Sequence, residues 1–257
     1  MRNRFLISIL AMASSLAILP VLLAQTPQPP GAANRTPDLS GVWGLARERG
    51  GPGNGRLSLE DPPLQSWARE LYGRNRRGVD EDNDPASNGR DEFDPNSYCF
   101  PPGPTRAIVS YPFEIYHAAN KVVMLFEVSN GVRRIWMDGR EHPEGWPFGW
   151  MGHSVGRWDG DTLVVDTAGL NDKTWIDRGG SPHSDALHIV ERIRRVRQDA
   201  LEVDFLLEDP KTFTKPWMTK RAYALLPDDY EMLDIIACED VFQIGGEYRK
   251  GQFDTLE

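Results

Sequence analysis

From position 108 onward, apolar and polar residues alternate in short runs separated by turn dipeptides. In Leu201–Glu208, the residues Leu201, Val203, Phe205 and Leu207 alternate with Glu202 and Asp204. Side chains two positions apart on a strand share a face, so this run predicts a strand with one buried side. The same reading predicts strands at Phe113–Ala118, Lys121–Val128, Val132–Met137, His153–Trp158, Asp161–Thr167, Leu187–Val196, Met218–Leu225 and Glu231–Cys238. Turns follow at Asn130-Gly131, Asp159-Gly160, Asp199-Ala200 and Asp228-Asp229. Asp159-Gly160 predicts a type I′ turn, whose two central residues take positive φ.

Before position 108 the pattern is weaker. Asp38–Trp43 predicts a first strand, and Arg47 to Arg56 a glycine-rich loop. Leu59–Tyr72 predicts one helix: Pro62 and Pro63 stand at its start, and Leu64, Trp67, Ala68 and Leu71 recur at helical spacing. Arg74 to Asp94 is charged and reads as loop, and Tyr98 to Arg106 as a proline-stiffened connection. Asp80, Asp82 and Asp84 invite a calcium loop, but Pro85 stands where that loop needs glycine, so a solvated acidic loop is the better reading. A run of short strands joined by short turns, with no alternation of strand and helix, predicts an all-β fold. The expected architecture is a single domain over residues 38–257, an antiparallel barrel or strongly curled meander with one short N-terminal helix. Closure would remove the exposed edges.

The first residues change the picture. Arg2 and Arg4 precede an apolar run, Phe5 to Leu23, and Leu22-Leu23-Ala24 precedes Gln25. This layout predicts a signal peptide over residues 1–24 and a secreted or periplasmic protein. Retained, the run is long enough to anchor the chain in a bilayer; cleaved, it leaves no stable membrane association. Residues 25–37, rich in proline and alanine, predict a disordered leader. The formal net charge is −9, and cleavage removes two further positive charges. An acidic surface argues against nucleic acid and anionic membranes as partners. Cys99 and Cys238 are an even pair in an exported chain, to be read as one disulfide or as two buried thiols.

Gly41-Val42-Trp43 on the first strand resembles the Gly-x-Trp motif of the lipocalin and wider calycin barrels. The resemblance implies that Trp43 plugs the closed barrel end beneath an arginine from a late strand, for which Arg221 is the matching residue. A longer stretch, roughly Asp38 to Cys238, is similar to an uncharacterised family of exported bacterial proteins. The likeness is carried by Ser154 to Thr167 and by Pro182-His183-Ser184 through Glu191-Arg192. It implies export and a β fold, and no catalytic residues.

Candidate chemistry concentrates between His153 and Arg195. The polar loop Ala168 to Asp185 carries Asn171, Asp172, Trp175, Asp177 and His183, and the next strand brings His188, Glu191 and Arg192. Rigid strands presenting a polar loop are a common way to build a site. His183 and His188 are the expected proton carriers, with Asp172, Asp177 or Asp166 orienting them and Arg192 holding an anionic group. Parity puts Glu191 among Leu187, Ile189 and Ile193, opposite His188. There it is either a reserve acid or the structural partner of a buried arginine such as Arg134 or Arg157. Asn171, Trp175, Trp150 and Trp146 are the expected ligand contacts, with the tryptophans able either to wall a pocket or to cap the core. A nucleophilic Ser184 lacks the glycine setting it needs, and His153, His183 and His188 lack tight metal-ligand spacing, so no metal is assigned. His117 shares a face with Phe113 and Ile115 and reads as a core histidine. The expected function is an enzyme using general acid–base chemistry on a small organic molecule at the barrel mouth, or a lipocalin-like binder of such a molecule. No cofactor is identified.

Overall fold

The structure is a computed structural model, and it describes residues 37–46, 55–81, 94–98, 100–145 and 147–233. Cys99, Trp146, Cys238 and the predicted signal peptide fall outside those residues, as does most of the strand expected at Glu231–Cys238. The described elements are β1 (Gly41–Leu45), α1 (Ser66–Glu81), a 3-10 turn (Pro95–Tyr98), α2 (Gly103–Ser110), β2 (Phe113–Ala118), β3 (Lys121–Phe126), β4 (Gly131–Trp136), β5 (His153–Asp159), β6 (Thr162–Ala168), β7 (His188–Arg197), β8 (Ala200–Glu208) and β9 (Trp217–Leu225). The strands follow chain order around a closed barrel, and β1 pairs with β9 to complete it. Closure leaves no sheet edge to pair with another chain.

The ladder is antiparallel except at one seam. There β4 and β5 run parallel and share only Ile135↔Ser154 and Trp136↔Val155. A parallel neighbour cannot be reached by a tight turn, so the connection 137–152 travels back along the outside wall before β5 begins. The expected all-antiparallel meander is corrected at this point.

Two turns show which residues accept positive φ. Ser129 (φ 55°) and Asn130 (φ 47°) both do, which is the type I′ requirement, and the Gly131 N–H closes the turn on the Val128 carbonyl at 3.1 Å. Between β5 and β6 only Gly160 does, at φ 62°, with Asp159 and Thr162 paired on either side. The two central residues are therefore Gly160 and Asp161. Glycine at the first of them with no positive φ at the second is the type II′ pattern, not the expected I′.

Parity sorts the strands as alternation predicted. Leu163, Val165, Ile189, Ile193, Leu201, Val203, Phe205 and Leu207 are buried in the barrel with Phe113, Ile115, Met124 and Ile135. Trp43 is fully buried, and its indole N–H donates to the Leu39 carbonyl at 3.0 Å. The guanidinium over its ring belongs to Arg195 on β7, at 5.1 Å, rather than to Arg221. Arg221 is buried and donates to the Arg56 carbonyl. The two arginines lie on different late strands, and Arg195 sits where β7 turns into β8, close enough to Asp38 to hydrogen-bond its carbonyl.

Both helices differ from expectation. α1 begins at Ser66 and runs to Glu81, past the predicted end at Tyr72 and into the stretch read as loop. Pro62 and Pro63 stand before it in extended chain, where Leu64 bridges Phe213 and the Pro63 carbonyl accepts Thr214 N–H. α2 replaces the expected proline-stiffened connection. Proline at its first turn costs nothing, because that N–H has no helical partner anyway. Gly103 through Val109 are all buried, so α2 lies under other chain rather than on the surface.

One polar group is central to the barrel. Arg133 and Glu191 are each 1% exposed and form a two-pronged ion pair, one prong measuring 3.0 Å between Arg133 Nη1 and Glu191 Oε1. Arg133 also donates to Ser154 Oγ at 3.1 Å and Thr167 Oγ1 at 2.8 Å. The partner of Glu191 is therefore Arg133, not Arg134 or Arg157. Arg133→Met is expected to destabilise the fold by about 3–5 kcal/mol, because it strands a buried carboxylate. The double variant Arg133→Met/Glu191→Leu should recover most of that loss in urea denaturation, and equal losses in both variants would refute the assignment.

Candidate functional site

The connection 169–187 and the connection 209–216 leave the barrel at the same end, and α2 lies there too. The polar side chains of this loop mostly hold chain to chain. Asp177 accepts the N–H groups of Leu57 (2.9 Å), Gly179 (3.0 Å) and Ser181 (3.4 Å). Asn75 donates to the Gly180 carbonyl at 2.9 Å. Asn171 accepts Lys173 N–H at 3.1 Å in a local turn, and Asp172 is exposed. Asp209, which sequence reasoning passed over, is buried and accepts from Ser184 N–H (2.7 Å), the Ser184 hydroxyl (2.8 Å), Lys211 N–H and Thr212 N–H.

His183 is buried beneath this cap. Its Nδ1 donates to the Ser184 carbonyl at 3.0 Å, which leaves Nε2 to accept the Thr174 hydroxyl at 2.9 Å. Both nitrogens are thereby used by one neutral tautomer, and burial holds the imidazole below its ordinary pKa. The cavity beside it, between α2 and the loop, measures about 10 Å³. That is room for one water, not for an organic substrate.

The aromatic expectations divide. Trp175 is buried with the Arg106 guanidinium 5.8 Å from its ring, and Arg106 is in turn paired with Asp94 at 2.5 Å. Trp150 packs on Phe100 with ring centroids 4.9 Å apart. Trp175 lines the small space beneath the loop with Leu170 and Ile176, whereas Trp150 stays half-buried beside Phe100. Arg192 points outward and pairs with Asp159 at 2.9 Å. His117 accepts Leu39 N–H at 3.0 Å and stacks on Trp158, so it is hydrogen-bonded, but it is exposed near the end of β2 and is not the core histidine that parity suggested.

His188 belongs to a different group on the outer wall. Its Nε2 lies 2.8 Å from Asp166 Oδ1, and its Nδ1 lies 3.4 Å from Glu208 Oε2. The same Asp166 oxygen lies 2.9 Å from His142 Nε2, and His142 Nδ1 lies 2.9 Å from His153 Nδ1. His153, Asp166, His188 and Glu208 come from four consecutive strands, β5 to β8, and His142 reaches them from the 137–152 crossover. The register builds the row. Asp166 faces Val190, one diagonal step from His188, and His188 stands directly opposite Glu208. His183 and His188 share no hydrogen-bond partner among the described residues, so the expected pair is separated.

Chemistry fixes the proton positions along the row. Hydrogen bonds from both imidazoles hold Asp166 below the usual carboxylate range, so it accepts from each of them. Asp166 takes the His142 Nε2–H, and a neutral His142 therefore presents a lone pair at Nδ1. His153 must then donate its Nδ1–H. The ring centroids of His142 and His153 are 5.1 Å apart, which puts the two facing nitrogens close to the line between them. This is hydrogen-bond geometry, since two imidazoles chelating one ion would direct their lone pairs to a point off that line. Among the described residues no three metal-ligating side chains are arranged to share an ion. Burial, with His142 and Arg140 nearby, holds His153 below its ordinary pKa, while Asp166 first and Glu208 second raise His188.

His153 also lines an open cleft of about 610 Å³ together with Trp136, Asp138, Arg140 and Glu141. Arg140 lies 3.8 Å over the Trp136 ring and is clamped by Asp138 at 2.8 and 2.5 Å. The cleft thus has an aromatic wall, a fixed cation, carboxylates and a neutral imidazole. Sequence reasoning missed His142 because it lies in a charged turn, Asp138 to Pro143, whose charges were expected to pair locally. Arg140 and Asp138 do pair locally; His142 does not.

His117, His153 and His183 are all held below their ordinary pKa by burial. As pH falls below about 6.5 the unfolded chain gains protons that the folded protein refuses, so these groups lower stability on acidification. His188 is raised and works in the opposite direction, adding stability at low pH. Three against one, the urea midpoint is expected to fall between pH 7.5 and 5.5, and His183→Gln should flatten that fall. An identical pH slope in wild type and variant would contradict the buried neutral assignment. The chain matches no family model and no curated protein, so the calycin-like closed barrel is the part of the resemblance that the fold supports.

Proposed function

We propose that the protein is an exported enzyme that removes a proton from a small organic molecule held in the cleft beside Trp136. The observation that carries this reading is the hydrogen-bonded row His153–His142–Asp166, which ends at that cleft. The linked imidazole pair takes up the substrate proton at its cleft end while the Nδ1–H of His153 passes to His142 Nδ1. The positive charge comes to rest on His142, beside the Asp166 carboxylate. Returning the proton reverses both transfers, so the row serves as base and then as acid. Low proton affinity at His153 keeps it in the accepting form at neutral pH. Trp136 supplies a flat apolar contact and Arg140 a fixed donor.

This reading moves the chemistry from the barrel mouth to the barrel wall. Of the residues expected from sequence, His188 remains near the chemistry, and His183, Asp177 and Glu191 act in the cap and core. A purely binding role, the alternative from sequence, would use the same cleft but gives no account of a linked imidazole pair behind it.

Saturation-transfer NMR against small aromatic and carbonyl compounds should find cleft ligands, and Trp136→Ala should weaken their binding. Exchange of their acidic C–H protons in D2O is then the readout. His153→Gln and His142→Gln are each expected to slow exchange about a hundredfold or more, with melting curves near wild type. Ligands that bind the cleft but exchange equally fast with both variants would sink the enzymatic reading. Export is tested separately. Protein recovered outside the cytoplasm is expected to begin at Gln25, and an intact Met1 would oppose cleavage.

A further inference from the structure

We infer that His188 is a positioning residue that sets the proton affinity of the His142–His153 pair through the one Asp166 oxygen shared by His188 and His142. The inference rests on the proton-relay reading above and adds a tuning group to it.

Asp166 Oδ1 receives His142 Nε2 at 2.9 Å and His188 Nε2 at 2.8 Å. In a plain histidine–aspartate pair the carboxylate's whole charge would favour the imidazolium next to it. Here a second imidazole occupies the same oxygen. His188 lies on β7 between two carboxylates, Asp166 on β6 and Glu208 on β8, and both favour its charged form. A charged His188 offsets part of the field of Asp166 at His142. His142 then holds a transferred proton less tightly, and the relay returns it more readily. This matters for a group that must act as base and then as acid, because proton transfer is fastest when donor and acceptor affinities are close.

The arrangement is built into the wall rather than left to flexible side chains. His188 and Glu208 are direct cross-strand partners, and Asp166 is one diagonal step from His188. Among the described residues, the charged groups around the pair are Arg140, clamped by Asp138 near His153, Glu141 in the same cleft, and Glu208 behind His188. Arg140 lowers proton affinity at the cleft end, and His188 does so at the far end. A brace without an electrostatic role would need only a donor at position 188. The proposal needs a positive charge there.

The test uses the full chain with 15N-labelled histidines, followed by long-range 1H–15N spectra across pH 4 to 9 (roughly the range that brackets histidine titration). His142→Gln and His153→Gln assign the resonances. His188→Gln keeps a donor toward Asp166 and removes the charge, and it is expected to raise the pH midpoint of His142 by about one unit, a tenfold gain in proton affinity. His188→Lys keeps a positive charge and should leave the midpoint near wild type. An unchanged midpoint in a natively folded His188→Gln protein overturns the inference. Should that variant not fold, the wild-type titration decides: the His142 shifts should show an inflection at the pH where His188 itself titrates, and its absence overturns the inference. Failure of the relay reading looks different. His142 and His153 would then titrate independently, each indifferent to substitution of the other, while the effect of position 188 on His142 would still be measured.

Discussion

The barrel depends on the guanidinium of Arg133. Backbone pairing is thinnest where β4 meets β5, with two residue pairs holding a parallel seam. Arg133 projects inward from β4 and reaches β5 at Ser154, β6 at Thr167 and β7 at Glu191. Taking this group out of water is costly, and the cost is met only when all its donors find acceptors. That condition is satisfied in one register of four strands. A slip of one residue would turn Ser154, Thr167 and Glu191 outward and leave the arginine unpaired in an apolar lumen. The ion pair therefore selects the arrangement more than it adds stability relative to an apolar core.

The same register also builds the outer wall. Ser154 and Thr167, which face inward, are chain neighbours of His153 and Asp166, which face outward. Glu191 faces inward three residues after His188 faces outward. Side-chain direction reverses at each step along a strand, so the register that satisfies Arg133 also sets the spacing of the imidazoles and carboxylates outside. The interior network and the exterior row are two faces of one alignment. A substitution at Arg133 would thus reach the row on the wall without touching any residue of it.

Alternation made most of the barrel legible in the sequence. It marked the strands from Phe113 to Leu225 to within a residue or two at most ends, and it placed Glu191 among aliphatic neighbours. What it could not supply was which distant residues meet. Arg133, Arg134 and Arg157 are equally basic in sequence, and only closure of the barrel puts Arg133 beside Glu191. Arg195 and Arg221 were likewise indistinguishable as partners of Trp43. His142 sits in an irregular crossover, where no periodicity assigns a face. α2 was hidden by its own prolines and by a continuous apolar run, Ala107 to Val109, that reads equally well as buried strand.

The density of polar residues in the 169–187 connection pointed to the barrel mouth, and the physical reason for that density is different. A loop folded back over an apolar barrel end buries backbone N–H and carbonyl groups that have no ladder to join, and each needs a partner. Asp177 and Asp209 supply acceptors for several at once, and His183 links a hydroxyl to a carbonyl. Polar side chains that close a cap in this way have their hydrogen-bonding capacity filled within the protein. The row on the wall differs in its surroundings, since the buried His153 lines an open cleft; under the proposed reading, protons move along the chain of bonds. Concentrated polarity is therefore a poor guide to chemistry by itself. A hydrogen-bonded series that ends at a cleft is the more discriminating sign, and here it lies on the outer wall, at the strand ends that border the 169–187 connection.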